Sequence, residues 1–324
     1  METITQPTLY YPFSSPLHPH VDLVEQRALD WACQFQIIPN DMVYQHVANV
    51  KATWLLGWAY PQAPLDALQL IADWNIWILM WDDFCGSGNL GRQPRRIAAM
   101  QEHFLTILRG TPPEHYDGPL AWGLHDIRQR LAAHASDAWV QRFSSSVELF
   151  FSACEWEATN RVHHRIPDIE TYLQMRPWAI GLYPYLDLFD ITDDTPVPSL
   201  VRMHPVVHHA TLLAAQIICW ANDIVSFEKE LAQDDWHNLV LILHHTEQMP
   251  LQQAIQEVAN QHDAAMQIFV DLDSHMPSFA PPLNRSLQHY LATLRSWVSA
   301  NIQWSQLTGR YQLHQRTVGE TKRN

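Results

Sequence analysis

The chain has 324 residues, 47% of them hydrophobic and only 17% charged, enough apolar material to bury a sizeable core in one large domain or two small ones. A formal net charge of −14 leaves no basic face for a nucleic acid, and the 19 histidines show no zinc-binding spacing. Four scattered cysteines (Cys33, Cys85, Cys154, Cys219), with no charged-then-apolar leader after Met1-Glu2, point to a reduced, cytoplasmic setting. Residues 1–20, rich in proline, tyrosine and histidine, read as an extended arm. From Asp22 onward apolar residues recur at intervals of three and four, the period of a helix buried along one face.

The first informative helix runs from Leu68 to Met80 and is almost wholly apolar. It leads into Trp81-Asp82-Asp83, after which Gly86, Ser87, Gly88 and Asn89 act as stop signals. A helix C-terminus disfavours negative charge, so two aspartates placed there ask for a cation. Trp54, Trp58, Trp74, Trp77 and Trp81 crowd the same segment. Each either packs the core or lines a cavity in which an aromatic face attracts a cation. Further along, Pro177-Trp178-Ala179-Ile180-Gly181 breaks a helix just after Arg176. Asp190-Ile191-Thr192-Asp193-Asp194 lies among turn formers and reads as a loop.

A second apolar helix, Ala210 to Ala221, runs into Asn222, Asp223, Ser226, Lys229 and Glu230. Asn222, Ser226 and Glu230 are spaced four and four, so their side chains stack along one helix face. An amide oxygen, a hydroxyl and a carboxylate are hard oxygen donors, the set that suits Mg²⁺. Prolines fall mostly between the periodic runs, no alternating strand pattern of useful length appears, and no apolar run approaches about 18 residues, the length a membrane span needs. The chain therefore reads as one all-α domain, residues 21–312, of ten to twelve helices around a central cavity, with a polar tail over 313–324.

Taken in order, these motifs resemble the microbial class I terpene synthases. Asp82-Asp83 and Asn222-Asp223-x-x-Ser226-x-x-Lys229-Glu230 look like that family's two metal motifs. Tyr60-Pro61, Asp73-Trp74, Glu157, Asn160, Arg161, Pro167, Tyr172-Leu173, Trp236-His237-Asn238-Leu239-Val240 and the closing Arg310-Tyr311 match along nearly the whole chain. The resemblance implies the α-domain fold of that family and three Mg²⁺ ions bound by Asp82, Asp83, Asn222, Ser226 and Glu230. It implies a prenyl diphosphate substrate contacted by Arg176, Lys229, Arg310 and Tyr311. Ile180 would present a backbone carbonyl beside Gly181, and Trp77 and Trp304 would line an apolar, aromatic, water-free pocket. One departure stands out, since the third acid usual after the aspartate pair is replaced by Gly86 and Ser87. That leaves Asp82 as the main ligand and Asp83 as support. Farnesyl diphosphate is the first substrate expectation and geranylgeranyl diphosphate the second, and a homodimer is compatible with the resemblance. A chain-elongating prenyltransferase would carry two full aspartate-rich motifs, a class II cyclase would carry DxDD, and a non-catalytic isoprenoid binder would need no intact phosphate-side residues.

Overall fold

A computed structural model describes residues 4–86, 90–192 and 196–311. Ser87, Gly88, Asn89, Asp193, Asp194 and the polar tail lie outside the described residues, so the expectations placed on them have no structural counterpart here. Among the described residues there are helices only. They are α1 (Val21–Gln34), α2 (Asp41–Val50), α3 (Ala52–Ala59), α4 (Leu65–Gly86), α5 (Pro94–Leu108), α6 (Pro119–His134), α7 (Asp137–His163), α8 (Ile169–Ala179), α9 (Leu182–Leu188), α10 (Ser199–Arg202), α11 (Pro205–Ala232), α12 (Leu239–Thr246), α13 (Leu251–Asp273) and α14 (Pro281–Leu307). Apart from the short α9 and α10 these are the ten to twelve helices read from periodicity.

Local chemistry sets many of the boundaries. Asn40, Ser136, Asp168 and Asn238 cap their helices by accepting a backbone N–H in the first turn. Pro94, Pro119, Pro205 and Pro281 occupy first-turn positions where a missing N–H costs nothing. The α8–α9 break follows from Pro177 inside the last turn of α8 and from Gly181, whose φ of +71° is the left-handed region open to glycine.

Helix α11 is the axis of the fold, packed along α13 and α14. By length and composition it could cross a membrane, unlike what the sequence suggested, but 78% of its most apolar window is buried inside the fold. It is a core helix, apolar because it is covered on nearly every side. The N-terminal arm has no helix before α1 and is strapped across this core. Tyr10 N–H donates to Asp263 (2.8 Å), Thr5 N–H to Gln252 (2.8 Å) and the Ser15 hydroxyl to the Trp58 carbonyl (2.6 Å).

On the opposite side, α4, α5 and α7 enclose an aromatic cluster. Trp74 and Trp77 stack at 5.4 Å, and Phe104 and Phe151 pack against Trp77 and Trp81. Trp77 is fully buried, and its indole N–H donates to the Leu120 carbonyl (2.7 Å). Trp77→Ala is expected to cost about 3–5 kcal/mol of stability, the usual loss for emptying a buried aromatic site. A denaturant midpoint within experimental error of wild type would show that the cluster collapses without penalty.

Candidate active site

The C-terminal ends of α4 and α11, the α8–α9 break and the end of α14 converge on one cavity of about 270 Å³. Asp82 and Asp83 enter from α4, and Asn222, Lys229 and Glu230 from α11. Arg176, Ile180 and Gly181 come from the α8–α9 break, and Trp304, Arg310 and Tyr311 close the C-terminal side. Below this polar rim the walls are mostly apolar, with Leu55, Ile78, Leu79, Phe150, Leu182 and Trp297 among the lining residues.

Arg310 and Tyr311 join the two candidate metal motifs. The Arg310 guanidinium donates to Asp82 Oδ2 (2.7 Å) and Asp83 Oδ1 (2.9 Å), while Asn222 Nδ2 donates to the Tyr311 hydroxyl (2.6 Å). Adjacent residues thus hold one motif each, and Trp304 backs them. Its indole donates to the Lys51 carbonyl (2.9 Å), and its ring meets Tyr311 edge-on at 5.7 Å. The two carboxylates facing Arg310 raise the guanidinium's pKa further, so it stays charged, and burial pushes the Tyr311 phenol up to about 12.

Arg176 is buried and touches both neighbours at the head of the second motif. It donates to Asp223 Oδ1 through Nε (3.0 Å) and Nη2 (2.8 Å), and through Nη2 to Asn222 Oδ1 (2.6 Å). An amide oxygen has two lone pairs, so Asn222 keeps one for a metal. Burial and the nearby Arg310 lower the pKa of the Lys229 amine. Glu230 is buried enough that its carboxyl is pushed up to about 7, with Arg176 the chief opposing influence. A carboxylate so short of solvation gains from an added cation.

Asp82, Asn222, Ser226 and Glu230 supply only hard oxygens, which fits Mg²⁺. Among the described residues no three acidic, histidine or cysteine side chains form a closed metal cage.

The comparisons with known proteins follow this geometry. Residues 73–267 match the family model described as terpene synthase family 2, C-terminal metal binding. A (+)-T-muurolol synthase of Roseiflexus castenholzii, described as cyclising (2E,6E)-farnesyl diphosphate, is 36% identical over 94% of this chain and 93% of its own. The chain belongs to the terpene synthase family. A germacrene A synthase of Nostoc punctiforme is 31% identical over 96% of both chains. In fold the synthase is similar to α-eudesmol synthase, with a TM-score of 0.85 at 21% identity, covering 94% of this chain and all of the other.

Two residues named from the synthase's sequence sit elsewhere. Trp77 does not line the cavity; it is locked into the α4–α5–α7 aromatic cluster by its stack on Trp74 and its bond to Leu120. Ser226 does not line it either. It is 1% exposed and lies 3.4 Å from the Asn238 amide nitrogen, beneath the other two members of its triad. Sequence reading missed the framework that holds the triad. Asn238 Nδ2 donates to Glu230 Oε2 (2.7 Å) and the Asp223 carbonyl (2.8 Å), while its Oδ1 accepts from Val240 N–H at the start of α12. Asp223 also accepts from Tyr172 (2.6 Å) and from Leu239 N–H (2.9 Å). The available signal was the cap itself, an asparagine immediately before an apolar helix.

Proposed function

We propose that this terpene synthase ionises farnesyl diphosphate with Mg²⁺ and cyclises the resulting cation to a sesquiterpene, releasing diphosphate. The observation that carries the reading is that Asp82, Asp83, Asn222, Glu230, Arg176, Arg310 and Tyr311 all border one cavity that also has aliphatic and aromatic walls. The 36% identity to a synthase described as cyclising farnesyl diphosphate favours the fifteen-carbon substrate.

Asp82, Asn222 and Glu230, which border the cavity, would hold Mg²⁺, three ions by the family resemblance, with Asp83 in support and Ser226 buried behind Asn222 and Glu230. Bound Mg²⁺ supplies Lewis acidity to the departing diphosphate oxygens. Arg176, Lys229 and Arg310 give charge-assisted hydrogen bonds to that anion, and Tyr311 adds a hydroxyl. Arg310, which donates to both aspartates, must share its guanidinium between them and the diphosphate. Trp297, Trp304 and Phe150 present aromatic surface to the cation, and the aliphatic walls exclude bulk water. The carbonyl of Ile180, at the break before Gly181, faces the same volume in this reading.

The aspartate pair makes a graded prediction. Asp83 is the less exposed of the two and has His46 Nε2 3.9 Å away as a further partner, whereas Asp82 is 47% exposed beside Arg310. Asp82→Asn should therefore reduce turnover far more than Asp83→Asn, with added Mg²⁺ partly restoring both. Equal losses would assign the two carboxylates equal roles.

The test of the reading is a panel of geranyl, farnesyl and geranylgeranyl diphosphates with Mg²⁺, read by gas chromatography and by released diphosphate. A cyclic fifteen-carbon product from farnesyl diphosphate is expected. Longer prenyl diphosphates would make the protein an elongase, and preferential turnover of the twenty-carbon substrate would make it a diterpene synthase.

A further inference from the structure

The segment that carries Arg310 and Tyr311 is seated on the corner between α2 and α3. Helix α2 stops at Lys51, whose φ of +54° is left-handed, and α3 begins at the next residue. The last carbonyls of a helix have no partner within it and must find one elsewhere. Here the C-terminal segment supplies the donors. Gly309 N–H donates to the Asn49 carbonyl (3.0 Å), and the Thr308 hydroxyl donates to the Val50 carbonyl (2.6 Å). The Trp304 indole reaches the same Val50 carbonyl (3.1 Å) and that of Lys51 (2.9 Å). Val50 and Thr308 are 1% and 3% exposed, so little water competes for these bonds. Val50, Ala52 and Trp304 also form a small apolar core of their own, with Trp54, Leu55 and Tyr311 packed against it.

Thr308 connects this seat to the cavity. Helix α14 ends at Leu307, and the extended backbone of Thr308 (φ −67°, ψ 141°) turns the chain out of the helix. Its hydroxyl donates to Val50 and accepts from the Arg310 N–H (3.1 Å). One side-chain oxygen therefore ties the end of α2 to the backbone of the residue whose guanidinium spans Asp82 and Asp83. Gly309 permits the close approach, since a Cβ at that position would stand 2.0 Å from Asn49 Nδ2. An arginine side chain has much rotamer freedom to lose. Fixing its backbone reduces what must be ordered before its planar fork can meet both carboxylates.

We propose that the α2–α3 corner is the receptor that positions Arg310 and Tyr311 at the cavity, and that Thr308 is the positioning residue whose hydroxyl fixes the Arg310 backbone. The inference rests on the proposed cyclase reading, in which Arg310 and Tyr311 contact the diphosphate. Thr308 does not border the cavity, so its effect on turnover passes through its neighbours. The same corner contributes Ala52 and Leu55 to the cavity wall. One seat thus sets the diphosphate-binding pair and part of the hydrocarbon wall together. A misplacement of about 1 Å can cost on the order of 100-fold in rate. Thr308 is one of three anchors beside Trp304 and Gly309, so losing its hydroxyl should cost clearly, but less than that.

The experiment compares Thr308→Val, which keeps the shape and removes the hydroxyl, with Thr308→Ser, which keeps the hydroxyl. Diphosphate release from farnesyl diphosphate with Mg²⁺ is measured on the full chain over a range of substrate concentrations. Thr308→Val should lower kcat/KM about tenfold and Thr308→Ser less than about twofold, with both variants melting as cooperative domains. Hydrogen exchange resolved to single amides is read in parallel. In wild type the Gly309 and Arg310 amides should exchange slowly, and in Thr308→Val that protection should fall there while the helices keep theirs. Wild-type kcat/KM in Thr308→Val overturns the role of Thr308. Equal losses in the two variants overturn it as well, because the hydroxyl is then not the group that matters. Unprotected Gly309 and Arg310 amides in wild type overturn the seat itself, and this measurement decides even where Thr308→Val fails to fold. No diphosphate release by wild type from any prenyl diphosphate defeats the cyclase reading and the role of Thr308 in it, and slow exchange at the two amides would then describe a structural brace only.

Discussion

Glu230→Ala and Asn222→Ala are each expected to abolish measurable cyclisation, with at least about a 100-fold loss of turnover and helicity by circular dichroism unchanged. Even partners one step removed from a metal typically matter 10- to 100-fold, so loss of a direct oxygen donor should exceed that range. Both side chains border the cavity on a helix whose opposite faces are buried against α13 and α14, so truncation removes chemistry before it removes packing. Glu230 is the sharper case. Its carboxyl is half-buried, pushed up to about 7 by lost solvation, and joined to the Asn238 amide at 2.7 Å. Replacing it removes a carboxylate that is short of solvation, so the variant should still fold. Near-wild-type turnover in both variants would remove the second motif from any metal role.

Arg176→Lys should lower kcat/KM by about 100-fold despite conserving the charge. The guanidinium spans Asp223 through two nitrogens and reaches Asn222 through one of them, at 2.6–3.0 Å. Lysine offers a single compact cation that cannot reproduce that fork. Hydrogen bonds to charged groups are worth about 1.5–3 kcal/mol each, so losing one or two accounts for the expected factor. Asp223 is fully buried and keeps Tyr172 and the Leu239 N–H as partners, which should hold the fold together. A folded Arg176→Lys enzyme with most of its wild-type rate would restrict Arg176 to bracing Asp223.

The two motifs were legible because each depends on local geometry. A four-and-four spacing on an unbroken helix puts Asn222 and Glu230 on one face whatever the helix packs against, and Asp82-Asp83 is marked by the apolar run that ends there. The contacts that assemble the site were not legible. Arg310 and Asp82 are 228 residues apart, and nothing in the local pattern of either names the other. Trp77 was misplaced for a related reason. Helix α4 is apolar on nearly all sides, so periodicity could not tell its cavity face from the face buried against α5 and α7. Asn75 is one of two amides in that run, with Gln69, and the sequence does not say which of them faces the cavity.

The most direct test of the account is the Mg²⁺ dependence of farnesyl diphosphate turnover. Purified enzyme is incubated with the substrate in Mg²⁺ or in a chelator, and diphosphate and extracted products are both quantified. The account predicts diphosphate and a cyclic fifteen-carbon product in equal amounts with Mg²⁺, and neither in the chelator. Equal turnover in the chelator, or consumption of farnesyl diphosphate without a cyclic product, would contradict it.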